Sequence, residues 1–327
     1  MLGSLVSFRQ SQQPPRRQSL LSAYITHPDC ARHEMGPHHP ECPERLGAIQ
    51  DHLLVKGLLD YMLPHDAPLA TEEQLSQAHS SLYIKELLAA SPTEGYYALD
   101  PDTNMNPYTI KAALRAAGAA VHATDLVMRG EVSTAFCSVR PPGHHAEYGA
   151  CMGFCFFNNV AVGIRHALNV HGLQRVAVID FDVHHGNGTE DIFKGDDRVL
   201  MCSIFEKGLY PFNGEEAKGP NMCNVGLPSR SGGEKFREAV TNEWLPALNA
   251  FRPEMIFISA GFDAHREDDM GNLGFVEADY AWVTQQLMTV AKEHSKGRIV
   301  SCLEGGYVMS PLARSVAAHV KVLIGAD

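Results

Sequence analysis

Four short segments carry side chains that could do chemistry together. Asp180-Phe181-Asp182-Val183-His184-His185-Gly186-Asn187 alternates ionisable and apolar groups over its first half. Along an extended chain, that alternation turns Asp180, Asp182 and His184 to one side. Two carboxylates and an imidazole so placed form either a cation site or a costly cluster of buried charge. Gly261-Phe262-Asp263-Ala264-His265 offers another carboxylate. Asp182, His184 and Asp263 together make a three-donor set with positions left open, the arrangement of a catalytic rather than a structural metal. Oxygen and nitrogen donors without thiolate suit zinc, iron or manganese. In Arg140-Pro141-Pro142-Gly143-His144-His145, a rigid turn holds two adjacent histidines suited to proton transfer. In Glu304-Gly305-Gly306-Tyr307, paired glycines permit a tight turn and leave a phenol free to project. Its hydroxyl could stabilise an oxyanion.

Taken singly, each segment has a plain explanation as a helix cap, a turn or a chance pair of histidines. Their common position is what joins them. Each follows a short apolar run: Thr134 to Val139, Arg175 to Phe181, Met255 to Ala260 and Arg298 to Leu303. With Ala23 to Thr26 and Val199 to Phe205, these runs read as strands buried on both faces of a parallel sheet. Helical patterns lie between them, at Pro43 to Lys56, Pro107 to Arg129, Asn158 to Val170, Glu234 to Ala250, Glu277 to His294 and Pro311 to Leu323. In Glu277 to His294, the residues Tyr280, Val283, Leu287 and Val290 or Ala291 recur at helical spacing and face the sheet. Strand and helix in alternation predict a doubly wound α/β domain, in which ligands bind beyond the carboxyl ends of the strands.

The 327 residues are 45% hydrophobic, and 38 acidic against 27 basic side chains leave a net charge of −11. No apolar run reaches the ~18 residues of a membrane span. The acidic surplus argues against general nucleic-acid binding. Residues 1–22 are Arg- and Ser-rich and acid-free, and read as a disordered extension; residues 23–327 read as one domain. The eight cysteines lack close metal-type pairing and read as reduced core residues of a cytoplasmic protein, with Cys151 and Cys155 the nearest pair. The 17 histidines are the unusual count.

In these motifs the chain resembles the histone deacetylase family, most closely its class II branch and the bacterial deacetylase-like amidohydrolases. The likeness extends from about Thr26 to the end and includes His38-His39-Pro40-Glu41-Cys42-Pro43-Glu44-Arg45-Leu46 and Gly153-Phe154-Cys155-Phe156-Phe157-Asn158-Asn159. The resemblance implies an arginase/deacetylase-like three-layer α/β fold with a central, mainly parallel eight-stranded sheet. It implies one catalytic zinc per chain on Asp182, His184 and Asp263, a His144–His145 dyad and an oxyanion-binding Tyr307. Phe154 and Tyr210 match the walls of an acyl-lysine tunnel, and the carbonyl of Gly153 matches the acceptor of the substrate amide hydrogen. Asp102 matches a tunnel-rim residue that holds the substrate backbone. A structural K⁺ near Asp180, Asp182, His184 and Ser203 is a further family trait.

The implied reaction is hydrolysis of an acyl-lysine amide by metal-activated water, with His145 as base and later acid. Family members range from monomer to tetramer, so a homo-oligomer is compatible. Asn187 stands where the class I branch has an acid, and a neutral amide orients His145 without raising its pKa as a carboxylate does. Retained Tyr307 separates the chain from the weakly active branch. Met270 stands near the acidic gatekeeper position of the polyamine-selective branch and is apolar. An acetylpolyamine amidohydrolase is the alternative enzyme, and a non-catalytic acyl-lysine reader is the alternative of another class.

Overall fold

The computed structural model describes residues 22–326. The predicted N-terminal extension therefore lies outside the described residues, except for Ser22, which opens the first strand. The strands are β1 (Ser22–Thr26), β2 (Met62–Asp66), the small pair β3 (Tyr97–Ala98) and β4 (Asn104–Met105), then β5 (Thr134–Cys137) and β6 (Val176–Asp180). They continue with β7 (Val199–Glu206), β8 (Met222–Leu227), β9 (Met255–Ala260) and β10 (Ile299–Leu303). The helices are α1 (Glu44–Val55), α2 (Glu72–Leu75), α3 (Ser81–Ala89), α4 (Thr109–Met128), α5 (Asn159–Asn169), α6 (Asn187–Phe193), α7 (Gly233–Ala239), α8 (Leu245–Phe251), α9 (Glu277–His294) and α10 (Met309–Leu323). A π-helical turn, Val240–Trp244, joins α7 to α8, so the predicted helix over Glu234 to Ala250 is continuous but locally widened.

Eight strands form one sheet in the order β2-β1-β5-β10-β9-β6-β7-β8. All its pairings are parallel, which sharpens the expected mainly parallel sheet. Every residue of β5, β6, β7, β9 and β10 is buried, as strands covered by helices on both faces must be. Adjacent positions show the two covered faces. A side chain on Gly163 of α5 would strike Phe257 of β9, whereas Ser301 of β10, in register with the next residue Ile258, bonds His319 of α10 at 2.9 Å. The layers are therefore α4 with α5, the sheet, and α1, α9 and α10.

Sequence reading missed the edge strands β2 and β8. β2 contains Pro64 and is largely exposed, and β8 contains Asn224 and Gly226, so neither shows a continuous apolar run. It also missed the short helices α2, α3 and α6. The predicted inner face of α9 is correct, since Tyr280, Val283, Leu287, Val290 and Ala291 are all buried. All eight cysteines are free thiols, five of them buried. Among the described residues no helix is long and apolar enough to cross a membrane.

Candidate active site

The sheet order sets β5, β10, β9 and β6 side by side, so their carboxyl ends bring the four sequence motifs together. The local reason differs from the expected pleated alternation. β6 stops at Asp180, and Asp182 and His184 lie beyond it. There, Asp180 Oδ1 accepts the Asp182 N–H at 3.1 Å and Asp182 Oδ1 accepts the His184 N–H at 2.9 Å. Each carboxylate folds back over the chain two residues on, a habit of Asp in turns. His184 Nδ1 then lies 3.0 Å from Asp182 Oδ1 and 3.3 Å from Asp263 Oδ2.

Asp263 is held at its other oxygen, where Oδ1 accepts the Val183 N–H at 2.9 Å. Its buried Oδ2 makes no hydrogen bond of acceptable geometry despite the 3.3 Å approach of His184. One ligand atom from each of Asp182, His184 and Asp263 falls within 4.8 Å of the others. Two glycines permit this approach: a Cβ on Gly261 would sit 2.0 Å from Asp182 Oδ2, and one on Gly305 would sit 2.0 Å from Asp263 Oδ2. An orphaned carboxylate oxygen, a convergent imidazole nitrogen and a second carboxylate fit a divalent cation of the zinc type. Burial, followed by the neighbouring charge of Asp182, pushes the Asp263 carboxyl up to about 7. Against the effect of burial, hydrogen bonds to Asp182 and Asp263 raise His184 to about 10.

The two adjacent histidines sit in different electrostatic surroundings. His144 Nδ1 lies 2.9 Å from Asp180 Oδ2, and His145 Nδ1 lies 2.7 Å from Asn187 Oδ1. Burial lowers both rings, but the charges of Asp182 and Asp180 overcome it at His144, whose pKa is raised well above the ordinary value. At His145, burial and then the charge of His144 hold the pKa well below it. The Asn187 amide is oriented from its far side, since Nδ2 donates to Glu147 Oε1 at 2.9 Å. Asn187 Oδ1 must therefore accept, His145 Nδ1 carries the ring proton, and Nε2 keeps its lone pair.

Several residues that shape the site were not assigned roles from sequence. Glu304, fully buried, accepts the Gly143 N–H at 2.6 Å and the His144 N–H at 3.1 Å, fixing the dyad turn from the neighbouring strand end. Burial raises its carboxyl to about 7. Asp268 accepts the N–H groups of Tyr307 and Val308 at 2.7 and 3.0 Å. Arg45 donates to the carbonyls of Gly306 and Glu304 and lies 5.0 Å from the Tyr307 ring centre. Behind it, Glu41 pairs with both Arg45 and Arg140. Glu41 and Arg45 are four residues apart on one helix entrance, a signal readable as an ion pair; Arg140 is brought in only by folding.

The remaining predicted residues flank this centre. Phe154 packs edge-on to Tyr307 at 5.9 Å, and Tyr210 packs edge-on to His145 at 5.2 Å. Gly153 has φ +55°, and a Cβ there would lie 2.5 Å from the His145 ring, so glycine is needed on both counts. Its carbonyl accepts a contact from Cys155 Sγ at 3.3 Å. Asp102 is exposed and linked inward, since Thr103 Oγ1 donates to it at 3.0 Å and accepts the Phe154 N–H at 3.1 Å. Ser203 stands in register with Asp180 and bonds His185 Nδ1 at 3.0 Å. Met270 is half-buried and packs on the core, its N–H donated to Asp268 Oδ1 at 3.1 Å. A cavity of about 800 Å³ opens beside the site between the Glu34–Glu44 loop and Tyr307. Of the predicted residues only Tyr307 lines it, so it adjoins the Asp–His–Asp set without covering it.

A parallel α/β sheet whose central strand ends carry an Asp–His–Asp set, a tandem-histidine turn and a tyrosine defines a class of α/β proteins with an acidic strand-end site able to hold a metal. The histone deacetylase domain matches residues 39–323, and the chain belongs to the histone deacetylase family. It is 35% identical to a histone deacetylase-like amidohydrolase of Pseudomonas aeruginosa over 85% of this chain and 79% of that one. It is 39% identical to the mouse protein named polyamine deacetylase HDAC10 over 87% of this chain but 45% of that one. It spans only 20% of the length of another matched relative. The solved HDA15 HD domain superposes with a TM-score of 0.86 at 33% identity, covering 93% of this chain and 89% of that chain.

Proposed function

We propose that residues 23–327 form a single zinc-dependent deacylase domain that hydrolyses the amide of acetyl-lysine or a related acyl-lysine. The convergence of Asp182, His184 and Asp263, with Asp263 Oδ2 left unpartnered beside the dyad, is the observation that carries this reading. A divalent cation held by these three residues would polarise the acyl oxygen and acidify a water beside it.

The chain's own groups supply the rest. Phe154 and Tyr210 bracket the aliphatic stem, the Gly153 carbonyl accepts the substrate amide N–H, and Asp102 holds the backbone at the rim. His145 Nε2, bare because Asn187 fixes the proton on Nδ1, takes a proton from the attacking water and returns it to the leaving amine. His144, kept charged by Asp180 and Asp182, contributes a positive field rather than a base. The Tyr307 phenol, held neutral by burial and by the charges of Asp263 and Asp182, donates to the acyl oxygen as negative charge develops there. Asp180 and Ser203, in register on β6 and β7, would hold the structural K⁺ of the same proposal.

The test is metal analysis of dialysed protein together with acetate release from an acetyl-lysine peptide and from acetylputrescine. About one retained zinc per chain, turnover of the peptide and its loss to a hydroxamate support the reading. Faster turnover of acetylputrescine would replace the substrate, an outcome that apolar Met270 disfavours. Stoichiometric zinc with no amide turnover would leave only an acyl-lysine reader.

A further inference from the structure

Most of the 17 histidines remain outside the site, and several are plainly structural. His319, buried between Thr284 and Ser301, is lowered to about 3 by burial, and His79, bonded to Glu147 and Asn158, to about 4. Two others differ. His166 Nε2 and His171 Nε2 lie 2.8 and 2.7 Å from the same atom, Asp125 Oδ1, with their rings at 80° and 5.2 Å apart. Among the described residues His166 Nδ1 is buried and makes no hydrogen bond, so the only polar contact of that ring there is the one at Asp125.

We infer that Asp125, His166 and His171 form a second divalent-metal site of the zinc type, separate from the strand-end centre. Asp125 lies in the last turn of α4, His166 in the last turn of α5 and His171 just beyond it. These helix ends precede β5 and β6, so the site lies at the amino ends of the strands, across the sheet from the four motifs. Its three donor atoms all fall within 4.8 Å of one another.

Two imidazole nitrogens and one carboxylate oxygen are borderline donors that suit zinc and its neighbours. Zn–N and Zn–O bonds of about 2.0–2.2 Å require donors spaced by roughly 3.3 Å in a tetrahedron, an opening of about 0.5 Å from the hydrogen-bonded geometry. The Asp125 and His171 side chains, 29% and 21% exposed, have room for that adjustment and leave the fourth position to water. Among the described residues no arginine or lysine side chain bonds the Asp125 carboxylate, which meets the two imidazoles through Oδ1. On binding, the His166 ring proton must move to the unpartnered Nδ1, a cost that weakens the affinity.

The test is equilibrium dialysis of the full chain, carrying its tightly held zinc, against Zn²⁺ from about 1 µM to 1 mM, followed by metal analysis. The expected result is a second equivalent in the wild type. His171→Ala and Asp125→Asn should each weaken it by roughly 100-fold or more, since even loss of an outer partner of a ligand costs 10–100-fold. Both variants should retain the first equivalent and full amide turnover. Absence of a second equivalent in the wild type, or its persistence at unchanged affinity in both variants, overturns the assignment.

Discussion

Replacing Asn187 by Asp changes one atom in the contact that sets the protonation of His145. The shape is kept, and a carboxylate takes the place of an amide oxygen 2.7 Å from Nδ1, while Glu147, which accepts from Nδ2 at 2.9 Å, must turn away from the new charge. An opposite charge at that range raises the pKa of a histidine by about 1–3 units, or ~1.4–4 kcal/mol in favour of the imidazolium. In the proposed mechanism His145 acts in its neutral form, and in the wild type burial and His144 hold its pKa well below the ordinary value. The acid limb of kcat/KM therefore lies low in the wild type and moves up by about 1–3 pH units in the variant, with a rate loss of roughly tenfold per unit below the new limb. A bound dication lowers the histidine pKa in both proteins, so the difference between them survives. The assay is kcat/KM for an acetyl-lysine peptide from pH 4.5 to 9. Asn187→Ala is the control: it removes the acceptor without adding charge, and should cost about 10–100-fold with little movement of the limb. An acid limb that stays in place in a folded, active Asn187→Asp protein, or an Asn187→Ala protein at full rate, refutes the reasoning.

Tyr307→Phe should lower kcat on the order of 100-fold or more while leaving zinc content unchanged, because in the proposed mechanism the phenol donates to the reacting oxygen and is not a ligand. Zinc lost in that variant, read by metal analysis, would contradict the assignment. Glu41→Gln should destabilise the fold by about 3–5 kcal/mol at pH 7, measured by urea unfolding, because buried Arg140 and Arg45 lose their charged partner. The charge of Arg140, against burial, holds the Glu41 carboxyl well below its ordinary range. Its contribution is thus fully present above the ordinary carboxylate pKa and is lost only as the pH falls through the depressed folded value. Wild type and variant should converge only in strong acid, and equal stability at pH 7 would exclude the role.

The sequence made the centre of the fold legible and its margins obscure, for one physical reason. Inner strands such as Val176–Asp180 are covered on both faces and must be apolar throughout, whereas β2 and β8 at the edges can carry Pro64 or Asn224 without penalty. The convergence of the candidate residues was legible because parallel strands gather their carboxyl ends, so Asp182, Asp263, His144 and Tyr307 could be related from position alone. Their supports were not legible. Arg140 meets Glu41, and Asp125 meets His166 and His171, only through chain reversals that leave no local pattern. Helix α3 was an avoidable miss, since Ser80 caps the Tyr83 N–H at 3.1 Å before an amphipathic run.

The buried charges of the site also bear on what it is built to hold. Asp180, Asp182, Asp263, Glu304 and Glu41 are five carboxyls with almost no contact with water, and the guanidiniums buried with them are Arg45 and Arg140. Two of the five, Asp263 and Glu304, are pushed up to about 7, and Asp180 is raised as well, mainly by burial. Full ionisation therefore needs more positive charge than the two arginines carry. An imidazolium at His144 supplies one unit. A dication on Asp182, Asp263 and a neutral His184 would supply two more and offset much of the remaining negative charge. A second imidazolium at His184 would occupy the nitrogen that the donor set directs inward. A divalent cation at the proposed site would thus complement the strand-end carboxyls in sign as well as in geometry, and His145 could stay neutral because the positive charge would be supplied elsewhere.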